Sequence, residues 1–325
     1  MQIIQKRKMK GLIKTDYQFF RYLQELLRHY TLTTKLDRKM LNAKLQIAQI
    51  DCTLANFDAN LARHCSLVEE AICDGADAIA FPELSLTGYN VQDAAQDIAM
   101  HIEDTRFDPL RELSRKICII CGGIELSNDY GVYNSAFMFE EGVGRSIHRK
   151  IYLPTYGMFE ELRYFSAGQQ IKAVTSKRLG RIGVAICEDF WHVSVPYLLA
   201  HQGAKLLFVL MSSPLRMSPG SGNPAIVKQW QTIASTYSFL FSSYVACINR
   251  VGNEDSFTYW GNSSLTGPEG NVICAAPLFK PYVMDAVLDV TEVKRARLHS
   301  SHFLDEDLRL IGAELNEIIA QGRRG

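Results

Sequence analysis

Short apolar runs that stop abruptly at a reactive side chain constrain this chain more than any other feature. Ala78-Ile-Ala-Phe81 ends at Pro82 and Glu83, and Ile182-Gly-Val-Ala-Ile186 runs straight into Cys187. Continuous apolar runs of this length are strands buried on both faces. The pattern predicts further strands over residues 44–50, 117–122, 206–210, 243–249, 263–266 and 283–289. Residues 133–140 and 144–149 read as a hairpin turning on Glu141-Gly142. Between the strands lie helical patterns, the clearest over 60–76, where Leu61, Cys65, Val68, Ile72 and Ala76 share one face. Helices are also expected over 109–116, 195–201 and 224–241. Strands alternating with helices define an α/β protein.

The 325 residues divide into two stretches. Residues 1–40 form a basic extension, with ten basic side chains against Asp16, Glu25 and Asp37. Within it Phe19, Phe20, Leu23, Leu26, Leu27 and Tyr30 recur at helical spacing and predict an amphipathic helix. It is read as a helix packed on the body or on a second subunit, with a membrane-surface or partner-binding role as the competing reading and a partly disordered extension as the third. From residue 41 to 310 no linker, repeat or change of composition divides the chain, so one domain is expected, over residues 41–325.

Charge balances at 35 basic and 35 acidic residues, which gives no electrostatic case for nucleic acid as a partner. No apolar run reaches the roughly 18 residues of a membrane span, and the start lacks the apolar stretch of a secretory signal. A cytoplasmic protein is expected. Eight cysteines in apolar or helical surroundings read as reduced thiols rather than a disulfide framework. Cys118 and Cys121 form a CxxC inside a core strand, with no second pair beside it, so a zinc site is disfavoured.

Three segments carry candidate chemistry. In Phe81-Pro-Glu-Leu-Ser-Leu-Thr-Gly-Tyr89, Glu83 is a carboxylate at a strand end among apolar neighbours, suited to act as general base. In His148-Arg-Lys150, the lysine ends a strand, where a fixed ammonium can stabilise an oxyanion. In Ile186-Cys-Glu-Asp-Phe-Trp191, a buried strand delivers a thiol onto a turn, the logic of a nucleophile elbow. Taken singly, each has a blander reading: a solvated loop glutamate, a surface lysine, a core thiol.

Taken together, Pro-Glu-Leu-Ser-x-Thr-Gly-Tyr, His-Arg-Lys-x-x-Leu-Pro and Gly-Val-x-Ile-Cys-Glu-Asp-x-Trp resemble the three signature blocks of the nitrilase (carbon–nitrogen hydrolase) superfamily, in the family's order. The resemblance runs from about residue 44 to about 310 and includes Asn249-Arg-Val-Gly-x-Glu-Asp255 and Trp260-Gly-x-Ser-Ser264. It implies a four-layer α-β-β-α sandwich, subunits that pair through helical faces into a homodimer or larger homo-oligomer, and no metal or cofactor. It also implies that Cys187 attacks an amide carbon, Glu83 handles the proton, and Lys150 with the backbone N–H of Glu188 holds the oxyanion. A second glutamate of the family matches Glu161, with Glu160 adjacent.

Cys187-Glu-Asp-Phe-Trp191 and Leu153-Pro-Thr-Tyr-Gly-Met-Phe-Glu-Glu161 look like the glutamine-hydrolysing domain of glutamine-dependent NAD synthetases. In that branch, residues matching Tyr156, Ser212 and Ser213 help to hold glutamine. The pyrophosphate loop of the synthetase domain has no match; Ser221-Gly-Asn223 is not that loop. A stand-alone hydrolase of a small linear amide is expected, or an ammonia-supplying subunit with a separate partner. The 214–224 loop is expected to border the pocket, with Arg216 as a candidate for a substrate carboxylate. Nitrile or N-carbamoyl hydrolysis on the same residues, or a non-catalytic protein retaining the fold, are the alternatives.

Overall fold

The computed structural model describes residues 41–215, 225–300 and 302–322. The expectations for residues 1–40, for Arg216 and for the 216–224 stretch lie outside these residues. Two six-stranded sheets form the centre. The first has the order β14-β1-β2-β3-β4-β5, from β1 (Leu41–Gln49), β2 (Ala78–Ala80), β3 (Cys118–Leu126), β4 (Val132–Glu140), β5 (Val143–Arg149) and β14 (Tyr282–Asp289). The second has the order β13-β12-β9-β8-β7-β6, from β6 (Val174–Ser176), β7 (Gly180–Ile186), β8 (Leu206–Met211), β9 (Tyr244–Asn249), β12 (Ser264–Thr266) and β13 (Val272–Ala275). A hairpin of β10 (Val251–Glu254) and β11 (Phe257–Trp260) stands apart.

Both sheets have three parallel strands at the centre and antiparallel strands at the edges. Parallel neighbours need crossovers. Three of the four are α1 (Phe57–Cys73) between β1 and β2, α2 (Ser194–His201) between β7 and β8, and α3 (Ala225–Phe241) between β8 and β9; the fourth, between β2 and β3, carries the short helix Asp108–Leu113. Asn56 starts α1 by accepting the Ala59 N–H at 3.1 Å.

Period-2 alternation sorts the strand residues into layers. Leu45, Ile47, Ala80, Ile120 and Met138 of the first sheet pack against Ile182, Val184, Phe208, Leu210 and Ile248 of the second. Ile79, Ile119, Phe137 and Phe139 face outward beneath Val68 and Ala71 of α1. Ala185, Leu207 and Val209 face the other way, beneath Val195, Leu199, Trp230 and Ala234 of α2 and α3. The result is the expected four-layer α-β-β-α sandwich.

Cys118 belongs to the inter-sheet core and Cys121 to the outer one, so the two thiols of the CxxC point to opposite faces of β3. The β4–β5 hairpin turns on Glu141 (φ 54°) and Gly142 (φ 79°), the pair of left-handed residues that a two-residue turn of type I′ demands. Two helices of more than one turn escape the sequence pattern: α4 (Val290–His299), which buries only Val290, Val293 and Ala296, and α5 (Leu308–Ala320), which buries none of its residues. Among the described residues no helix is long and apolar enough to cross a membrane.

Candidate active site

The candidate residues converge where strands end. Glu83 follows β2, Lys150 follows β5, Cys187 follows β7 and Ser212 follows β8. Carboxyl ends of parallel strands are where open α/β sheets gather their ligands.

Lys150 is the centre. Its side chain is fully buried, and its Nζ donates to Glu83 Oε1 at 2.7 Å and to Glu161 Oε1 at 2.6 Å. Burial works against its charge, but the carboxylates of Glu161 and Glu83 override that and hold its pKa well above the ordinary lysine value. Two buried carboxylates around one ammonium leave a surplus negative charge. Desolvation accordingly raises the Glu161 carboxyl to about 7, with Lys150 opposing the rise. Glu161 is buried on its helical turn while Glu160 beside it is exposed, so only the former reaches Lys150. Tyr89, from the Glu83 loop, donates its hydroxyl to Glu161 Oε1 at 2.6 Å.

Glu83 is held on several sides. Asn134 Nδ2 donates to its Oε1 at 2.8 Å, and the Ser212 N–H donates to its Oε2 at 2.7 Å. The Ser212 hydroxyl donates to the Glu83 main-chain carbonyl at 2.9 Å. Ser213 faces elsewhere. Its Oγ accepts the indole N–H of Trp230 at 3.1 Å and of Trp260 at 3.3 Å. Both serines expected to hold substrate are thus engaged by the protein, Ser212 in orienting the carboxylate.

Cys187 has φ 46°, a left-handed backbone that breaks β7 into the turn Cys187–Trp191. Such strain in a residue with a β-carbon persists only where surroundings enforce it. Asp189 does so. Its buried carboxylate accepts from the N–H groups of Ile186, Ile151 and Tyr152 and from His148 Nε2 at 2.7 Å. One side chain therefore ties the residue before the thiol to both flanks of the lysine. Burial alone would raise the Asp189 carboxyl, but the His148 bond and these donors bring it below the usual value. The Cys187 thiol is pushed well above its ordinary value by burial and by Glu83, with Lys150 opposing. A resting thiol of this kind needs a base at the moment of attack. Tyr156 is half exposed and donates to the Glu188 carboxylate at 3.0 and 3.1 Å.

Gly122 on β3 lets the Glu83 loop cross directly over the strand. A β-carbon there would sit 2.3 Å from the Leu84 nitrogen and 2.8 Å from the Glu83 carbonyl carbon. Both are main-chain atoms and cannot swing aside. Gly122→Ala is expected to destabilise by about 3 kcal/mol, the upper end for overpacking, measured by denaturant titration. Unchanged stability and turnover would show that the loop has slack.

A nitrilase-type sandwich with a buried carboxylate–lysine–carboxylate cluster beside a strand-end thiol is the class these observations define. The chain belongs to the carbon–nitrogen hydrolase family, whose model matches residues 43–298. It is 29% identical over 264 residues to the glutamine-dependent NAD(+) synthetase of Thermotoga maritima, covering 80% of this chain and 44% of that protein. The chain spans about half the length of such curated relatives. The structure of the glutamine-dependent NAD+ synthetase from Acinetobacter baumannii superposes with a TM-score of 0.69 at 27% identity, covering 77% of this chain and 46% of the other. A carbon-nitrogen hydrolase from Helicobacter pylori G27 superposes with a TM-score of 0.73 over 85% of this chain and 99% of its own, at 20% identity.

Proposed function

We propose that this chain hydrolyses a small linear amide, a glutamine-like ω-amide or a relative of it, to a carboxylate and ammonia through a thioester on Cys187. The observation that carries the reading is the buried Lys150 ammonium held between Glu83 and Glu161, next to a thiol on a strained strand-end turn. In this mechanism Glu83 takes the thiol proton as Sγ bonds to the amide carbon. Lys150 and the backbone N–H of Glu188 stabilise the oxyanion that forms. The tetrahedral adduct collapses by breaking the C–N bond, and Glu83 returns the proton to the departing nitrogen. Water, deprotonated by Glu83, then attacks the thioester and releases the carboxylate and the thiol. Similarity to the synthetases supports glutamine as the first substrate to try.

The test is ammonia release from L-glutamine, L-asparagine, simple aliphatic amides, nitriles and ureido acids, with intact-mass detection of an acyl adduct on Cys187 after quenching. Turnover of an amide with an adduct on that residue is expected. Turnover without any acylation of the thiol defeats the mechanism, and turnover of nitriles alone favours the competing chemistry.

The surplus charge of the cluster makes a pH prediction. With Glu161 raised to about 7, it takes up a proton as the pH falls through neutrality. Activity is therefore present above that value and lost below it, by about tenfold per pH unit in kcat/KM. Glu161→Gln is expected to remove this acid limb and lower the plateau. An acid limb that stays in place in that variant would assign the titration to another group.

A further inference from the structure

Two buried acceptor atoms at the site have no hydrogen-bond partner among the described residues: Asn134 Oδ1 and Glu161 Oε2. Buried acceptors are normally supplied with donors, and both of these belong to residues that grip the Glu83–Lys150 pair. Glu161 uses Oε1 for Lys150 and Tyr89 and leaves Oε2 unused. Asn134 is 1% exposed; its main-chain carbonyl accepts the Lys150 main-chain N–H at 2.9 Å and its side-chain Nδ2 donates to Glu83. A carboxylate can only accept, so the amide nitrogen of Asn134 must face Glu83 and its oxygen must face away from it. Asn134 shares a face of β4 with Ala136 and Met138, the face turned toward the second sheet and the end of β7 where Cys187 sits.

We infer that Asn134 Oδ1 and Glu161 Oε2 receive the two N–H groups of a primary carboxamide, and that Asn134 selects primary amides against N-substituted amides and nitriles. The inference rests on the amide-hydrolase reading and narrows it. A primary amide brings two donors on nitrogen and one carbonyl for the oxyanion site. An N-methyl amide brings one donor and a nitrile none, which leaves one buried acceptor unsatisfied in the first case and two in the second. Sites built to hydrogen-bond a substrate group reject analogues that lack it far more strongly than apolar pockets reject a missing methylene.

The experiment takes the primary amide turned over best, its N-methyl derivative and the corresponding nitrile, and compares kcat/KM for the wild type, Asn134→Leu and Asn134→Asp. The wild type is expected to prefer the primary amide by at least ~10²-fold. In Asn134→Leu the amide-to-nitrile ratio falls at least ~tenfold, because the acceptor is gone. Asn134→Asp keeps an acceptor oxygen but loses the donor to Glu83, so its rates drop while the ratio holds. A ratio is internal to each variant and does not move with partial loss of folded enzyme. An unchanged ratio in Asn134→Leu, or loss of the ratio in Asn134→Asp, makes Asn134 a brace for Glu83 and overturns the inference alone. No turnover of any amide by the wild type, with Cys187 never acylated, brings down the amide reading and this inference with it.

Discussion

Cys187→Ala is expected to abolish ammonia release, by a factor of at least ~10⁴, while leaving the fold intact. The two halves of this result have separate causes. The sulfur is the only atom in the proposed mechanism that bonds to carbon, and alanine offers no substitute for it. Its contribution to stability is small, because a thiol among apolar neighbours is replaced by a methyl group, a change on the order of 1 kcal/mol. The left-handed backbone is imposed from outside, by the Asp189 bonds to residues 186, 151 and 152, and these do not involve the thiol. Ammonia assay and thermal denaturation on the same preparation separate the two. Residual turnover of a few per cent, with contamination excluded by an active-site titration, would move the nucleophile elsewhere.

Lys150→Met is expected to damage both properties. Methionine matches the length of the side chain but leaves Glu83 and Glu161 as two buried carboxylates with no cation between them. Removing one partner of a buried ionic cluster costs about 3–5 kcal/mol. Loss of the oxyanion's charged donor removes about 10²–10³ in rate besides. The sign with pH follows from which form is stranded. Without Lys150 the buried Glu161 carboxyl, already raised by desolvation, holds its proton to higher pH than in the unfolded chain, so the stability it contributes is present at low pH and lost as pH rises through its folded value. Urea midpoints for Lys150→Met are therefore expected to approach those of the wild type on acidification. A deficit that stays constant with pH would mean that lost packing dominates.

The central strands and the strand-end positions of Glu83 and Cys187 were legible in the sequence for one physical reason. A strand buried on both faces must be a continuous apolar run, and a polar residue that ends it abruptly stands out. What supports those positions was not legible. Asn134 lies 51 residues from the Glu83 it holds, and Asp189 lies 38 residues from the Ile151 amide it holds, so neither pairing has a local signature. Tyr89 was visible as the end of a motif, but its bond to Glu161 spans 72 residues. Lys150 looked like a surface lysine by position alone, because its burial depends on Glu83, 67 residues away, and on Glu161, 11 residues on. The helices α4 and α5 were missed because few or none of their residues are buried, and helix prediction leans on an apolar stripe facing a core. The hairpin of β10 and β11 was hidden inside a stretch that read only as a motif. Its role is mechanical: Glu254 accepts from the Tyr89 and Asn90 N–H groups and from the buried Arg250, which pins the Glu83 loop.

The two indoles that share the Ser213 hydroxyl make this protein its own spectroscopic probe. The chain has three tryptophans. Trp230 and Trp260 meet at Ser213, next to the residue that orients Glu83, and Trp191 ends the turn that begins at Cys187, with its ring 5.3 Å from that of Trp230. No tryptophan lies elsewhere to contribute background, so emission excited selectively from tryptophan is confined to one side of the site. Acylation of Cys187 would perturb the turn that carries Trp191, and stopped-flow fluorescence would then follow formation and decay of the thioester without a dye, a coupled enzyme or a chromogenic substrate.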